Sequence, residues 1–197
     1  DLHSFPTRRS SDLQRAQSRA LRGDKVVAAL KDSIVVNKIY LLTTAHGSMP
    51  SVPAGCEPFT IDSLNSSDTI KKIAQKADTP FTLLYTKASP FELGYMALER
   101  IADFLQDRKT GMVYADHYEW KEGEKKKHPA IDYQPGSVRD DFDFGALLAF
   151  RSEYLIGAAG MMENEREDYR YAGLYATRLF IAETSRIVHI NETYTLK

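Results

Sequence analysis

Residues 79–108 read TPFTLLYTKASPFELGYMALERIADFLQDR, and two periodicities meet inside them. Around Phe81–Tyr85 the run is apolar and rich in aromatic and aliphatic residues, the pattern of a short strand buried on both faces. Beyond Ser89 the spacing changes. Leu93, Met96, Ala97, Ile101, Phe104 and Leu105 fall three and four apart along one face of an amphipathic helix, and Gly111 stands where that helix is expected to end. A buried strand running straight into an amphipathic helix is the repeating unit of α/β proteins, whose mostly parallel sheets are covered by helices on both faces.

The same alternation continues in both directions. Upstream, 14–33 carry a partial helical stripe (Leu21, Val26, Val27, Ala29, Leu30), 38–44 (KIYLLTT) read as a short buried strand, and a Gly/Pro/Ser-rich loop over 45–55 precedes a weaker strand at 56–62. The helix expected over 68–77 has Ser66 or Ser67 as its cap and Asp68 near its positive end. Downstream, MVYADHYEW (112–120) reads as a strand entering a hairpin at Glu122-Gly123-Glu124, with Lys125-Lys126-Lys127 as a solvated turn. A strand at 141–150, a short helix at 151–160, a longer helix over 167–184 and a strand at 186–192 follow. Ligands of such sheets gather at the carboxyl ends of the strands. That rule selects Thr43 and Thr44, Tyr85-Thr86-Lys87, Asp116-His117-Tyr118, the polar loop Arg139-Asp140-Asp141, and the pair Glu167-Asp168 opening the long helix.

Composition narrows the class. With 43% hydrophobic, 11% aromatic and 27% charged residues over 197 positions, the chain resembles a folded globular protein, and a net charge of −1 argues against nucleic acid as a partner. The single cysteine, Cys56, excludes an internal disulfide and suits a reducing cytoplasm. No apolar run approaches the roughly 20 residues that cross a bilayer. The opening DLHSFPTRRSSDL (1–13) back-translates codon by codon into one reading frame of a short-read sequencing adapter. It is set aside as an artefact rather than native sequence, which leaves 14–197 as one expected domain beginning near Gln14.

Three stretches carry a resemblance: TPFTLLYTKASPFELGYMALERI (79–101); MVYADHYE (112–119) with HPAIDYQPGSVRDDFDFG (128–145); and YRYAGLYATRLFI (169–181) with VHINETYT (188–195). From about Val26 onward the chain resembles a bacterial subgroup of the family 2 glycosyltransferases, of GT-A (Rossmann-like) fold. The resemblance implies an N-terminally truncated domain lacking its first nucleotide-binding strand, and the abrupt stop at NETYTLK is read as an incomplete C-terminus. It also implies a cytoplasmic enzyme, peripheral to the inner membrane face, that serves polysaccharide or envelope assembly. Its substrates would be a nucleotide-sugar donor and a glycan or lipid-linked acceptor, with inversion at the anomeric carbon.

Residue by residue, the resemblance makes Asp168 the catalytic base, paired with Glu167 and followed by Arg178. Relatives hold Mn2+ or Mg2+ through an Asp-x-Asp motif after the central strand, where this chain has Tyr85-Thr86-Lys87. Two substitutes stay open: Lys87 with Thr86 holding the diphosphate as a point charge, or a metal recruited by Asp116 and His117. His189 matches a late metal-ligand position but equally suits a hydrogen-bonded structural residue. Arg139, Asp140 and Asp141 suit donor or acceptor contact, or an ion pair fixing their loop. Tyr169, Tyr171 and Tyr175 read as helix packing, with Tyr171 also a candidate for stacking on sugar. Two further readings stand beside the transferase. One is a non-catalytic relative that binds a nucleotide, sugar or protein. The other is a hydrolase using Asp140, Asp141 and Asp168.

Overall fold

The computed structural model describes residues 38–42, 57–61, 63, 65–87, 92–136, 142–166 and 168–196. The helical stripe at 14–33, the 45–55 loop, Thr43, Thr44, Cys56, Arg139, Asp140, Asp141 and Glu167 lie outside these residues.

Strands β1 (Lys38–Leu42) and β2 (Glu57–Ile61) are followed by helix α1 (Ser67–Lys76), β3 (Phe81–Tyr85), a two-residue β4 (Glu92–Leu93) and α2 (Ala97–Leu105). The long β5 (Thr110–Lys121), β6 (Glu124–His128), β7 (Leu147–Arg151), α3 (Ser152–Asn164), α4 (Gly173–Thr184) and β8 (Arg186–Leu196) complete the order. The fold is α/β, with a mixed central sheet ordered β2-β1-β3-β7-β5-β8-β4 and β6 paired to the outer half of β5. β1 is parallel to β2 and β3, and β5 is parallel to β8. β7 lies between β3 and β5 and is antiparallel to both. Two reversals cancel, so β1, β2, β3, β5 and β8 all point the same way and their carboxyl ends share one edge. The chain enters β7 from that same edge.

Side chains alternate across each strand, which divides the core into two faces. Leu84, Met112, Tyr114, Leu148 and Phe150 face the layer formed by α1, α3 and α4. Leu83, Tyr85, Val113 and Ala149 are buried on the other face, where α2 packs over β5, β7 and β8 through Ala97, Ile101, Ala102 and Leu105. In α1, Ile70 and Ile73 turn inward at three-residue spacing and are fully buried, each worth about 1.5–3 kcal/mol. Ser66 caps α1, its Oγ accepting from the Thr69 N–H at 3.2 Å, as the sequence suggested.

Several expectations are corrected. The helix read from Ser89 begins at Ala97, because Glu92 and Leu93 pair instead with Leu196 and Thr195 at the far end of β8, and Met96 turns the corner at φ 54°. Gly111 does not end that helix. It lies in β5, where a Cβ would overlap Ser185 Oγ at the end of α4. Lys125, Lys126 and Lys127 form β6 rather than a turn, and the turn itself is Glu122-Gly123, at φ 57° and 80°, in the two-residue class that matches strand twist. The strand read at 141–150 starts only at Leu147, and the helix after it runs on to Asn164.

The most consequential correction concerns the late helix, which starts at Gly173, five residues after Asp168, with no acidic residue in its first turn. The chain just before it is tied to α1. The Ser67 N–H donates to the Tyr169 carbonyl at 2.8 Å and the Tyr169 N–H to Ser67 Oγ at 2.8 Å, while the Gly173 N–H donates to the Asn65 carbonyl at 2.7 Å. Tyr169 thereby spends its amide and carbonyl on α1 rather than on a helical ladder. Among the described residues no helix is long and apolar enough to cross a membrane.

Candidate functional site on the carboxyl edge of the sheet

The strand register brings the chemistry-bearing residues to this edge. Tyr85 pairs with Leu147, and one step beyond, the Thr86 N–H donates to the Ala146 carbonyl at 2.8 Å. The Thr86 hydroxyl donates to the carbonyls of Ala146 at 3.0 Å and Gly145 at 3.3 Å, so it fastens the β3 and β7 ends together rather than facing outward. Gly145 has φ 79°, and a Cβ there would lie 2.9 Å from the Ala115 carbonyl, so only glycine lets this loop cross β5 at its midpoint.

Asp143, two residues before that glycine, is held by its neighbours. Burial pushes its carboxyl up, but the Gly145 N–H at 2.8 Å, His128 Nε2 at 2.9 Å and the charges of His128 and Lys87 outweigh this and hold it below the usual range. Lys87 is exposed at the end of β3. Arg178 reaches the same place from α4, its guanidinium 5.1 Å from the Phe144 ring and Nη1 donating to the Phe142 carbonyl at 3.5 Å. Burial lowers the Arg178 pKa, and the charge of Asp143 offsets part of that.

One strand further, Asp116 is buried. Its Oδ1 accepts from the Ala130 N–H at 3.0 Å and hydrogen-bonds His189 Nε2 at 2.9 Å, while Oδ2 pairs with Lys127 Nζ at 2.9 Å. Burial raises this carboxyl, and the bonds from Lys127, Ala130 and His189, with the Lys127 charge, more than reverse it. His189 Nδ1 in turn meets Asp132 Oδ1 at 2.6 Å, and its ring stacks on Tyr114 at 4.7 Å with planes 9° apart. The Tyr114 hydroxyl donates to the Ile131 carbonyl at 2.6 Å and accepts from the Tyr133 N–H at 2.7 Å. Burial above all pushes the Tyr114 pKa up, to about 12. Tyr114, Asp116, Lys127, Asp132 and His189 thus form one polar network that pins the 129–133 segment over the sheet.

His117 belongs to a different group. Successive strand residues face opposite sides, and the pairing of β5 with β8 is irregular at Asp116, so Asp116 and His117 take different partners. His117 Nε2 meets Glu119 Oε1 at 3.3 Å, and its ring lies 4.6 Å from that of His128. Among the described residues, His117, Glu119 and His128 are the side chains whose donor atoms lie close enough to share an ion, all within 4.8 Å of one another. Asp116, His117 and His189 therefore do not form one ligand set. The hydrogen-bonded structural alternative read for His189 matches its two carboxylate partners.

Asp168 is exposed beside the clasp between Tyr169 and Ser67, next to the amino end of α1, and α1 follows β2 away from the same edge. Tyr169 and Tyr175 pack against the core, whereas Tyr171 is 75% exposed and precedes the helix rather than packing within it. Sequence reasoning missed Glu119, His128, Asp132 and Asp143. A signal for His128 was present: a two-residue turn at Glu122-Gly123 pairs 121 with 124, and counting outward pairs 117 with 128.

No family model matches the chain, and no curated protein does. Among solved structures it is similar to 2-C-methyl-D-erythritol 4-phosphate cytidylyltransferase from Thermus thermophilus, at 12% identity and a TM-score of 0.39 over 87% of this chain and 78% of that one. A likeness at that level carries no argument about activity, and the site is read from its own residues.

Proposed function

We propose that this chain transfers a sugar from a nucleoside diphosphate donor to an acceptor hydroxyl with inversion. The observation that carries the reading is that Arg178 lies against Phe142 and Phe144, the neighbours of Asp143, while Lys87 is exposed just beyond β3, at the carboxyl edge where strand ends of this class receive ligands. A diphosphate brought there meets two cations as negative charge builds on the leaving oxygen. In the transfer, the acceptor oxygen forms its bond to the anomeric carbon while the bond to the donor phosphate oxygen breaks, and that oxygen departs with the electron pair. Asp168, with Glu167, takes the acceptor proton, and its exposure leaves it reachable by a glycan or lipid-linked acceptor. Arg139, Asp140 and Asp141, which precede Asp143 in the sequence, are assigned to donor contact. The enzyme works in the cytoplasm at the inner membrane face.

A second reading, binding without turnover, has its own support. Tyr85-Thr86-Lys87 offers no carboxylate to a metal, and the Thr86 hydroxyl is engaged by backbone carbonyls. One experiment separates the two. The protein is incubated with a panel of nucleotide sugars and acceptors, with and without Mn2+, and nucleoside diphosphate release is followed. Release that drops about 100-fold or more in Asp168→Asn supports the transferase. Release that persists in that variant removes Asp168 from the role of base, and donor binding without any release favours the second reading.

A further inference from the structure

We infer that the β5–β6 hairpin is a binding site for a borderline transition-metal ion of the Zn2+ class, held by His117, Glu119 and His128. The site follows from hairpin geometry. Glu119 is two residues from His117 and so shares its face of β5, while His128 is the direct cross-strand partner of His117 in the register set by the Glu122-Gly123 turn. Three donors are thereby delivered to one side of a two-stranded ribbon. Their mutual separations stay within 4.8 Å, and the His117–Glu119 contact of 3.3 Å is close to the spacing of two ligands on a tetrahedral ion with bonds of about 2.0–2.2 Å.

The surroundings fit a ligand set. Asp143 holds Nε2 of His128 at 2.9 Å, the carboxylate contact that usually orients a ligating imidazole, and Asp143 is itself fixed by the Gly145 N–H. Lys121 Nζ holds Glu119 Oε2 at 2.8 Å, which turns Oε1 toward His117. His117 is 1% exposed, so one donor is preorganised within the sheet while the other two reach the rim. Two imidazoles and one carboxylate select Zn2+, Co2+ or Ni2+ over Mg2+ and Ca2+, which take oxygen ligands. Three protein ligands leave a fourth position for water or for an oxygen of a bound anion. The inference rests on these residues alone and does not require the sugar-transfer reading.

The test is calorimetric titration of the full, chelator-stripped chain with Zn2+ and separately with Mg2+, with Co2+ absorption as a second probe of nitrogen ligation. The expected result is one Zn2+ per chain, not displaced by an equal concentration of Mg2+, with a Co2+ band typical of mixed nitrogen and oxygen ligands. His128→Ala, at a half-exposed position, should abolish this equivalent while the circular dichroism spectrum stays native. Glu119→Gln and Asp143→Asn should each weaken it about tenfold or more. The site is refuted if wild type binds no Zn2+, if Mg2+ displaces it, or if the equivalent survives His128→Ala unchanged. Should His128→Ala unfold, unchanged affinity in both Glu119→Gln and Asp143→Asn refutes the site equally.

Discussion

Gly173→Ala is expected to destabilise the protein by about 3 kcal/mol, lowering the melting temperature by about 6–12 °C for a chain of this size. A Cβ at this position would lie 2.6 Å from the carbonyl carbon of Ser66, 2.7 Å from the Ser67 nitrogen and 2.8 Å from the Ser66 oxygen. All three atoms are backbone at the capped start of α1, so no side chain can rotate to relieve the overlap. Relief must come from moving α4 away from α1, which lengthens the bond from the Gly173 N–H to Asn65 and loosens the clasp between Tyr169 and Ser67. Asp168 sits on that clasp, so the variant should also lose any activity that depends on Asp168. Gly160→Ala is the matching control. Gly160 lies inside α3 with open space where its Cβ would go, and alanine there should stabilise by about 0.5–1 kcal/mol. Paired urea denaturation of the two variants reads the difference, and a Gly173→Ala midpoint equal to wild type would overturn the packing argument.

The contrast between these two glycines marks where sequence reasoning stops. Both stand in apolar, helix-like stretches, and nothing local distinguishes the one that meets the backbone at Ser66 and Ser67, far away in sequence. Local patterns sufficed wherever local forces decide. The buried run of β3, the Ser66 cap of α1, the Glu122-Gly123 turn and the strands at β1, β2 and β8 all have short-range causes, and the α/β layout followed from their alternation. Long-range pairing overrode the pattern elsewhere. Leu93 fits the helical stripe of α2, yet the edge offered by β8 pairs it with Thr195. Asp168 looked like the start of a helix until Ser67 claimed both backbone groups of Tyr169. Lys127 read as one of three solvated lysines because its partner, Asp116, comes within reach only when β6 folds back on β5. The candidate site divides in the same way. The edge residues Thr86, Lys87, Asp116 and His117 were marked by the rule for strand ends; Glu119 and His128 follow only once the hairpin register is counted outward from its turn, and Asp143 enters through a loop crossing that no linear spacing reveals.

Asp116→Asn should cost about 1–2 kcal/mol at neutral pH, and most of that difference should vanish in acid. The buried carboxylate is an acceptor toward all three of its partners, the Ala130 N–H, His189 and Lys127. An amide can keep its oxygen on the side of Ala130 and His189, but it then turns two N–H donors toward the Lys127 ammonium, and the negative charge that strengthened all three contacts is gone. The pH dependence follows from the direction of the Asp116 shift. Its pKa is held below the ordinary 3.8 despite burial, because hydrogen bonds and the Lys127 charge favour the ionised form. A carboxyl depressed in the fold binds fewer protons there than in the unfolded chain, so its contribution is fully present above the unfolded value of about 3.9. That contribution drains away as pH falls from there through the lower, folded value. In urea, the gap in midpoint between wild type and Asp116→Asn should therefore be full near pH 6, where the carboxylate is ionised in both states, and narrow steadily below about pH 4. Wild type moves toward the variant as its carboxyl takes up a proton and becomes, like the amide, a neutral group that also donates. A gap that stayed constant down to about pH 2.5, or widened, would mean that the Asp116 network contributes through shape alone and that its ionised form is not what holds the 129–133 segment against β5 and β8.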